Sequence, residues 1–169
     1  MRVSKADRGS ADLIVAVSPV RWPSARGVAA AVRGGGLGVL DLTGGAASDE
    51  LALLGEWNVP AYGVRLTGPV ADLPEAATTV LLTEDSPCTA ADFPGRRVLA
   101  EVTSRASAAR AVAGGAHGLI ARGHECGGRT GELSTFVLLQ ALLADQTLDV
   151  PVWAAGGIGP HTAAAAVAG

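Results

Sequence analysis

The chain has 169 residues, 49% of them hydrophobic, with 23 glycines and only 4% aromatics. That length suffices for one domain with a real core, but it falls short of the roughly 250 residues of a typical β/α barrel. With 13 Lys and Arg against 16 Asp and Glu, the net charge is −3, which leaves no basic footprint for a nucleic-acid partner. Cys88 and Cys126 form neither a CxxC pair nor a disulfide ladder, as expected of a reducing cytoplasm. Met1 to Asp12 is polar and charged, and no apolar run approaches a membrane span. The expectation is a cytoplasmic protein without a membrane or nucleic-acid partner.

Short apolar runs of strand length alternate with alanine-rich segments of helical length, the pattern of repeated βα units. Leu13–Val17 reads as a first strand, Ser24–Arg33 as a helix and Gly38–Leu42 as a second strand. Ser48–Trp57 reads as a helix capped by Ser48, with Asp49 and Glu50 in its first turn. Ala61–Leu66 is the third strand, a short turn or helix follows near Val70–Ala76, and Thr78–Thr83 is the fourth strand. After a connection from Glu84 to Gly95 come a strand at Arg97–Val102 and a helix at Ser104–Ala113. Gly118–Ala121 is the sixth strand, Ser134–Asp145 an amphipathic helix and Val150–Ala154 the seventh strand, before a last alanine-rich helical run.

Connections of helical length between successive strands imply right-handed crossovers wound in one direction. That favours a parallel β/α barrel of TIM type in one domain, residues 1–169, with a doubly wound open sheet as the other possibility. Gly34-Gly35-Gly36-Leu37-Gly38 lies between a helix and the next strand, whereas a dinucleotide fingerprint follows a strand and opens a helix, so a helix C-cap is expected there.

Two segments carry the signals for a site. Val150-Pro151-Val152-Trp153-Ala154-Ala155-Gly156-Gly157-Ile158-Gly159 runs from a strand through glycines into a helix. Such a turn aims backbone N–H groups and a helix dipole at one spot, a cradle for phosphate; it also reads as an ordinary glycine-capped turn. Ala121 to Glu132 follows the sixth strand, at the end of a barrel where active sites form. Its glycines permit close approach of a ligand, and His124, Glu125 and Arg129 offer acid/base or anion-pairing groups. Equally, His124 and Glu125 read as a solvated loop pair, and Arg122 or Arg129 as structural ion-pair partners. His117, His124, Cys126 and His161 have no recognised zinc spacing, and neither a P-loop nor a GxSxG elbow occurs.

On these residues the chain resembles the nitronate monooxygenase, or 2-nitropropane dioxygenase-like, family of FMN-dependent barrels. The family's EAGGH-like and AAGGI-like segments stand here as Glu125-Cys126-Gly127-Gly128-Arg129 and Ala154-Ala155-Gly156-Gly157-Ile158. Ala29 to Leu40 looks like its first helix and second strand, and Tyr62-Gly63-Val64-Arg65-Leu66 like its third strand. The wording from His124 to Glu132, Phe136-Val137-Leu138-Leu139-Gln140 and Gly156 through Ala165 is most similar to the version of this domain in modular polyketide synthases.

The resemblance implies FMN as cofactor. Ala155, Gly156 and Gly157 would bind its phosphate, Gly127 and Gly128 would lie near it, and Ser18 and Pro19 would lie beside the ring system. It makes His124 and Arg129 the candidate catalytic residues. Arg129 stands where the family pattern has histidine, and Arg65 replaces a polar amide. Arginine stays protonated, so it cannot abstract the proton alpha to a nitro group.

The implied activity is an FMN-dependent oxidoreductase acting on a small molecule or an acyl thioester, within a synthase that supplies other domains as partners. An enoyl-thioester reductase-like domain and a non-catalytic docking domain are the alternatives. The family's eighth strand and second phosphate loop would come after Gly169. The resemblance therefore also implies an incomplete barrel, weak flavin retention at most, and self-association through open edges.

Overall fold

The computed structural model describes residues 14–20, 22–45 and 47–168. Leu13 and the polar stretch before it lie outside these residues. The strands are β1 (Val15–Val17), β2 (Leu37–Asp41), β3 (Tyr62–Leu66), β4 (Ala77–Leu82), β5 (Arg97–Val102), β6 (Gly118–Arg122) and β7 (Val152–Ala155). The helices are α1 (Ala25–Arg33), α2 (Ser48–Glu56), α3 (Arg105–Ala113), α4 (Thr135–Leu143) and α5 (Pro160–Ala168). The strands follow one another in chain order, β1-β2-β3-β4-β5-β6-β7. The ladders β1/β2, β2/β3, β4/β5, β5/β6 and β6/β7 are all parallel. This is the winding of the parallel β/α-barrel type, with seven strands. The segment expected as a turn or helix near Val70–Ala76 contains bends and turns only.

The chain divides into two compact units, Met1–Arg65 with Leu73–Thr78 and Leu66–Asp72 with Thr79–Gly169. In the first, Ser24 starts α1 by accepting the Gly27 N–H at 3.1 Å. Gly35, at φ +82°, closes the helix, so the glycine run is the expected C-cap and turn. A Cβ on Gly38 would overlap the Val28 carbonyl and lie 3.0 Å from its Cα. The bare glycine is what lets α1 lie flush on β2, with Val28 and Ala29 buried. Ser48 is not the cap of α2: the helix begins at Ser48 itself, with Ala47 before it and no side-chain cap. The acidic first turn is used elsewhere. Glu50 accepts the backbone N–H of Ala25 and so occupies the positive end of α1.

In the second unit, alternation along the strands sorts the side chains. Ala100, Val102, Leu119 and Ala121 face α3 and α4, where they pack with Ala108, Leu138 and Leu142. The opposite strand face carries Leu99, Glu101, Ile120 and Arg122. Each fully buried leucine contributes about 1.5–3 kcal/mol, and Leu81, Leu99, Leu119, Leu138 and Leu142 are all within 1% of complete burial. Trp153 covers Gly118, where an added Cβ would stand 2.7 Å from its ring, and the Arg97 guanidinium stacks on that ring at 5.3 Å. Between β4 and β5 a short 3-10 turn, Ala90–Asp92, stands in place of a full helix. Beneath this connection lies a cavity of about 210 Å³ lined by Leu82, Pro87, Cys88, Val98 and Ala111.

Two glycine substitutions should act in opposite directions. Gly38→Ala forces its methyl into the backbone of Val28 and should destabilise by about 1–3 kcal/mol. Gly55→Ala, on an exposed face of α2 with nothing nearby, should stabilise by about 0.5–1 kcal/mol. Urea unfolding of both variants checks the pair; equal stabilities would contradict the packing of α1 on β2.

Candidate functional site

The loop after β6 is shaped by glycine and by one carboxylate. At Gly123 any Cβ would collide with the backbone N and hydroxyl of Thr135, so only glycine lets the chain leave β6 against the start of α4. Ser134 caps that helix through the Val137 N–H. Glu125 completes the cap: its Oε2 accepts the Thr135 N–H and the Thr135 hydroxyl, each at 2.9 Å. Hydrogen bonds from its own backbone N–H and then from Thr135 hold the Glu125 carboxyl below the usual carboxylate range, and His124 nearby adds to the effect.

The turn after β7 presses on this loop. The Thr135 hydroxyl lies 2.9 Å from the Ala155 carbonyl, which also accepts the Gly123 N–H at 3.3 Å. Gly156, at φ +100°, leaves no room for a side chain: a Cβ would lie 2.8 Å from both the N and the Sγ of Cys126 and 2.9 Å from the Thr135 hydroxyl. Burial pushes the Cys126 thiol up, against the pull of Arg122, so Cys126 serves as a packing group here. Gly157 is also left-handed, at φ +66°. Among the described residues, the backbone N–H groups of Gly156, Gly157, Ile158 and His161 meet no acceptor, while that of Gly159 is satisfied by Thr162 at 2.8 Å. Such open donors, in the turn after β7 and the first turn of α5, have the hydrogen-bonding chemistry that suits a phosphate-like anion.

A buried ion pair lies below the loop. Arg122 Nη1 donates to Glu101 Oε2 at 2.7 Å, with the side chains 12% and 8% exposed. Its Nη2 donates to the Gly127 carbonyl. Breaking such a pair by removing one partner costs about 3–5 kcal/mol, because a buried charge is left alone. The pair therefore fixes the guanidinium in place.

The remaining expected residues are less enclosed. The His124 side chain is exposed, and its backbone N–H donates to Leu133 at 2.9 Å. Arg129 is 70% exposed and reaches Asp85 at 3.5 Å, a surface contact worth roughly 0–1 kcal/mol. Ser18 and Pro19 belong to the first compact unit, at the end of β1. The Ser18 hydroxyl accepts the Asp41 N–H at 2.9 Å. Asp41, fully enclosed, binds Arg65 at 2.6 Å and the Thr43 N–H and hydroxyl at 2.8 and 2.6 Å. Arg65, which stands where the family pattern has a polar amide, has its guanidinium engaged by Asp41. Asp41, Glu101 and Thr135 were not singled out from the sequence. The available signal was an acid near the end of an otherwise apolar strand with an arginine on the next, as in Asp41/Arg65 and Glu101/Arg122. Among the described residues, no group of three or more His, Cys, Asp or Glu side chains gathers as a metal site, and no helix is long and apolar enough to cross a membrane.

Comparison with protein-family profiles and with curated proteins gives no match. Solved structures do match. The chain is similar to FabK from Thermotoga maritima, at 25% identity and a TM-score of 0.69 over 90% of this chain and 53% of that one. It is also similar to a nitroalkane oxidase from Streptomyces ansochromogenes, at 22% identity and a TM-score of 0.75 over 93% of this chain and 62% of that one. The chain thus spans a little over half the length of each.

The depressed Glu125 carboxyl makes stability depend on pH. A carboxyl depressed on folding contributes stability above its unfolded pKa and loses it as pH falls through the folded one. Glu125→Gln should therefore melt lower than the parent at pH 7, and the gap should close below about pH 4. Thermal melts across this range check it; a gap that is constant with pH would show that the charge at the start of α4 contributes nothing.

Proposed function

We propose that this chain is the phosphate-binding part of an FMN-dependent oxidoreductase of the nitronate monooxygenase-like family. One observation carries the reading: open N–H groups at Gly156, Gly157 and Ile158 stand in the turn before α5, where both glycines are left-handed and Gly156 leaves no room for a Cβ. A phosphate group fits this donor set in charge and in hydrogen-bonding capacity. Gly128, also left-handed at φ +80°, adds a further open N–H on the neighbouring loop. The likeness to FabK and to a nitroalkane oxidase supports the same assignment.

When bound, FMN supplies hydride chemistry at its ring system. The side chains around it bind and hold protons. His124, exposed on the loop after β6, is the candidate there whose side chain offers general acid/base chemistry. Arg129 is a permanent cation and works only by holding an anion. A carboxylate, a phosphate or a developing enolate oxygen is its natural partner.

The arginine also favours a second reading, reduction of an enoyl thioester. There Arg129 would hold the thioester oxygen on which negative charge develops, and no base for a nitroalkane would be required. The setting in a polyketide- or fatty-acid-synthase-like system, with an acyl-thioester substrate, rests on the loop wording from His124 to Glu132.

The test is FMN titration, followed by quenching of flavin fluorescence. Gly157→Asn suits it, because Asn tolerates a left-handed backbone and the nearest atoms to an added Cβ are those of Glu125, at 3.7 and 3.8 Å. The affinity should fall at least tenfold, roughly 1.4 kcal/mol, with an unchanged melting profile. Equal affinity in parent and variant would overturn the phosphate assignment.

A further inference from the structure

Arg122 makes contacts in two directions that a structural ion pair does not need. One arm of the guanidinium holds Glu101 at 2.7 Å; the other donates to the Gly127 carbonyl. The adjacent Gly128 closes over the same group, since a Cβ placed on it would stand 3.5 Å from Arg122 Nη2. In a trans peptide the carbonyl and the next N–H point in opposite directions. Holding the Gly127 oxygen toward Arg122 therefore turns the Gly128 N–H away from it, and that N–H meets no acceptor among the described residues. The other side of the loop is tied down independently by Glu125 on Thr135 and by the Cys126 contact with Gly156.

We infer that Arg122 is a positioning residue: braced by Glu101, it fixes the Gly127–Gly128 peptide so that the Gly128 N–H is preset to donate to an anionic or carbonyl oxygen of the bound ligand. The inference rests on the flavin reading for the identity of that ligand, though not for the clamp itself. Its chemistry is preorganisation. A glycine pair free to rotate would have to be ordered at the moment of binding, whereas a clamped peptide presents its donor beforehand.

The experiment uses two variants of the full chain. Arg122→Lys keeps a positive charge for Glu101 but lacks the planar fork that bonds two acceptors at once. The double variant Glu101→Leu/Arg122→Leu removes both charges of the pair together, so that neither is buried without the other, and its melting profile checks that it folds. Nitrogen-15 relaxation without ligand reads the clamp: the Gly127 and Gly128 amides should gain microsecond-to-millisecond conformational exchange in both variants, with Gly123 to Cys126, held separately through Glu125 and Thr135, unchanged. FMN titration reads its purpose, with at least a tenfold loss of affinity in the double variant and a smaller loss in Arg122→Lys.

Unchanged relaxation at Gly127 and Gly128 would overturn the clamp whatever the flavin does. Added conformational exchange with unaltered FMN affinity would overturn the positioning role. If the parent chain binds no FMN at all, the flavin reading falls and takes the ligand assignment of the Gly128 donor with it, while the relaxation data still decide the clamp.

Discussion

The hydroxyl of Thr135 is the point on which the second compact unit turns. It is completely buried, and it sits 2.9 Å from both the Glu125 carboxylate and the Ala155 carbonyl. That one group joins the loop after β6, the first residue of α4 and the end of β7. Such convergence is sterically possible only because Gly123 and Gly156 lack side chains. An unpaired hydroxyl at this depth would cost about 1–3 kcal/mol, so the three segments are held in a single arrangement.

Buried charge follows one rule in both units. An acid at the end of a strand is answered by an arginine on the next strand: Asp41 by Arg65 and Glu101 by Arg122. Pairs of this kind add little net stability over apolar replacements, and their value lies in placing a cation at a fixed point. In the first unit that point also gathers Thr43 and Ser18. In the second it reaches the glycine loop. Arg129 differs from both: exposed, and in contact only across 3.5 Å with Asp85, it is free to change partner.

Much of the fold was legible because apolar runs of strand length are bounded here by glycine, proline and capping serines. β5 coincides with its expected range, and Ser24, Ser104 and Ser134 all cap the helices they precede. Ser48 looked alike in sequence and behaves differently. A capping serine must itself lie just outside the helix with a non-helical backbone, whereas Ser48 is already the first residue of α2. The glycines of the two loops were legible as positions that permit approach of a ligand, which is distinct from the protein atoms that crowd Gly123 and Gly156. What closes on them was not: Thr135 is ten residues beyond Glu125, and no periodicity links a helix's first residue to a loop carboxylate. The acid–arginine pairs were hidden for a similar reason, since each joins residues more than 20 positions apart.

We propose that the backbone of the turn after β7 and that of the loop after β6 together bind an anion. Amide chemical shifts during an FMN titration test it most directly, because they report the donors themselves. The largest changes should fall on Gly128, Gly156, Gly157 and Ile158, with inorganic phosphate reproducing those in the β7 turn. Changes confined to the cavity beside Cys88, or none at these four amides at saturating FMN, would contradict it.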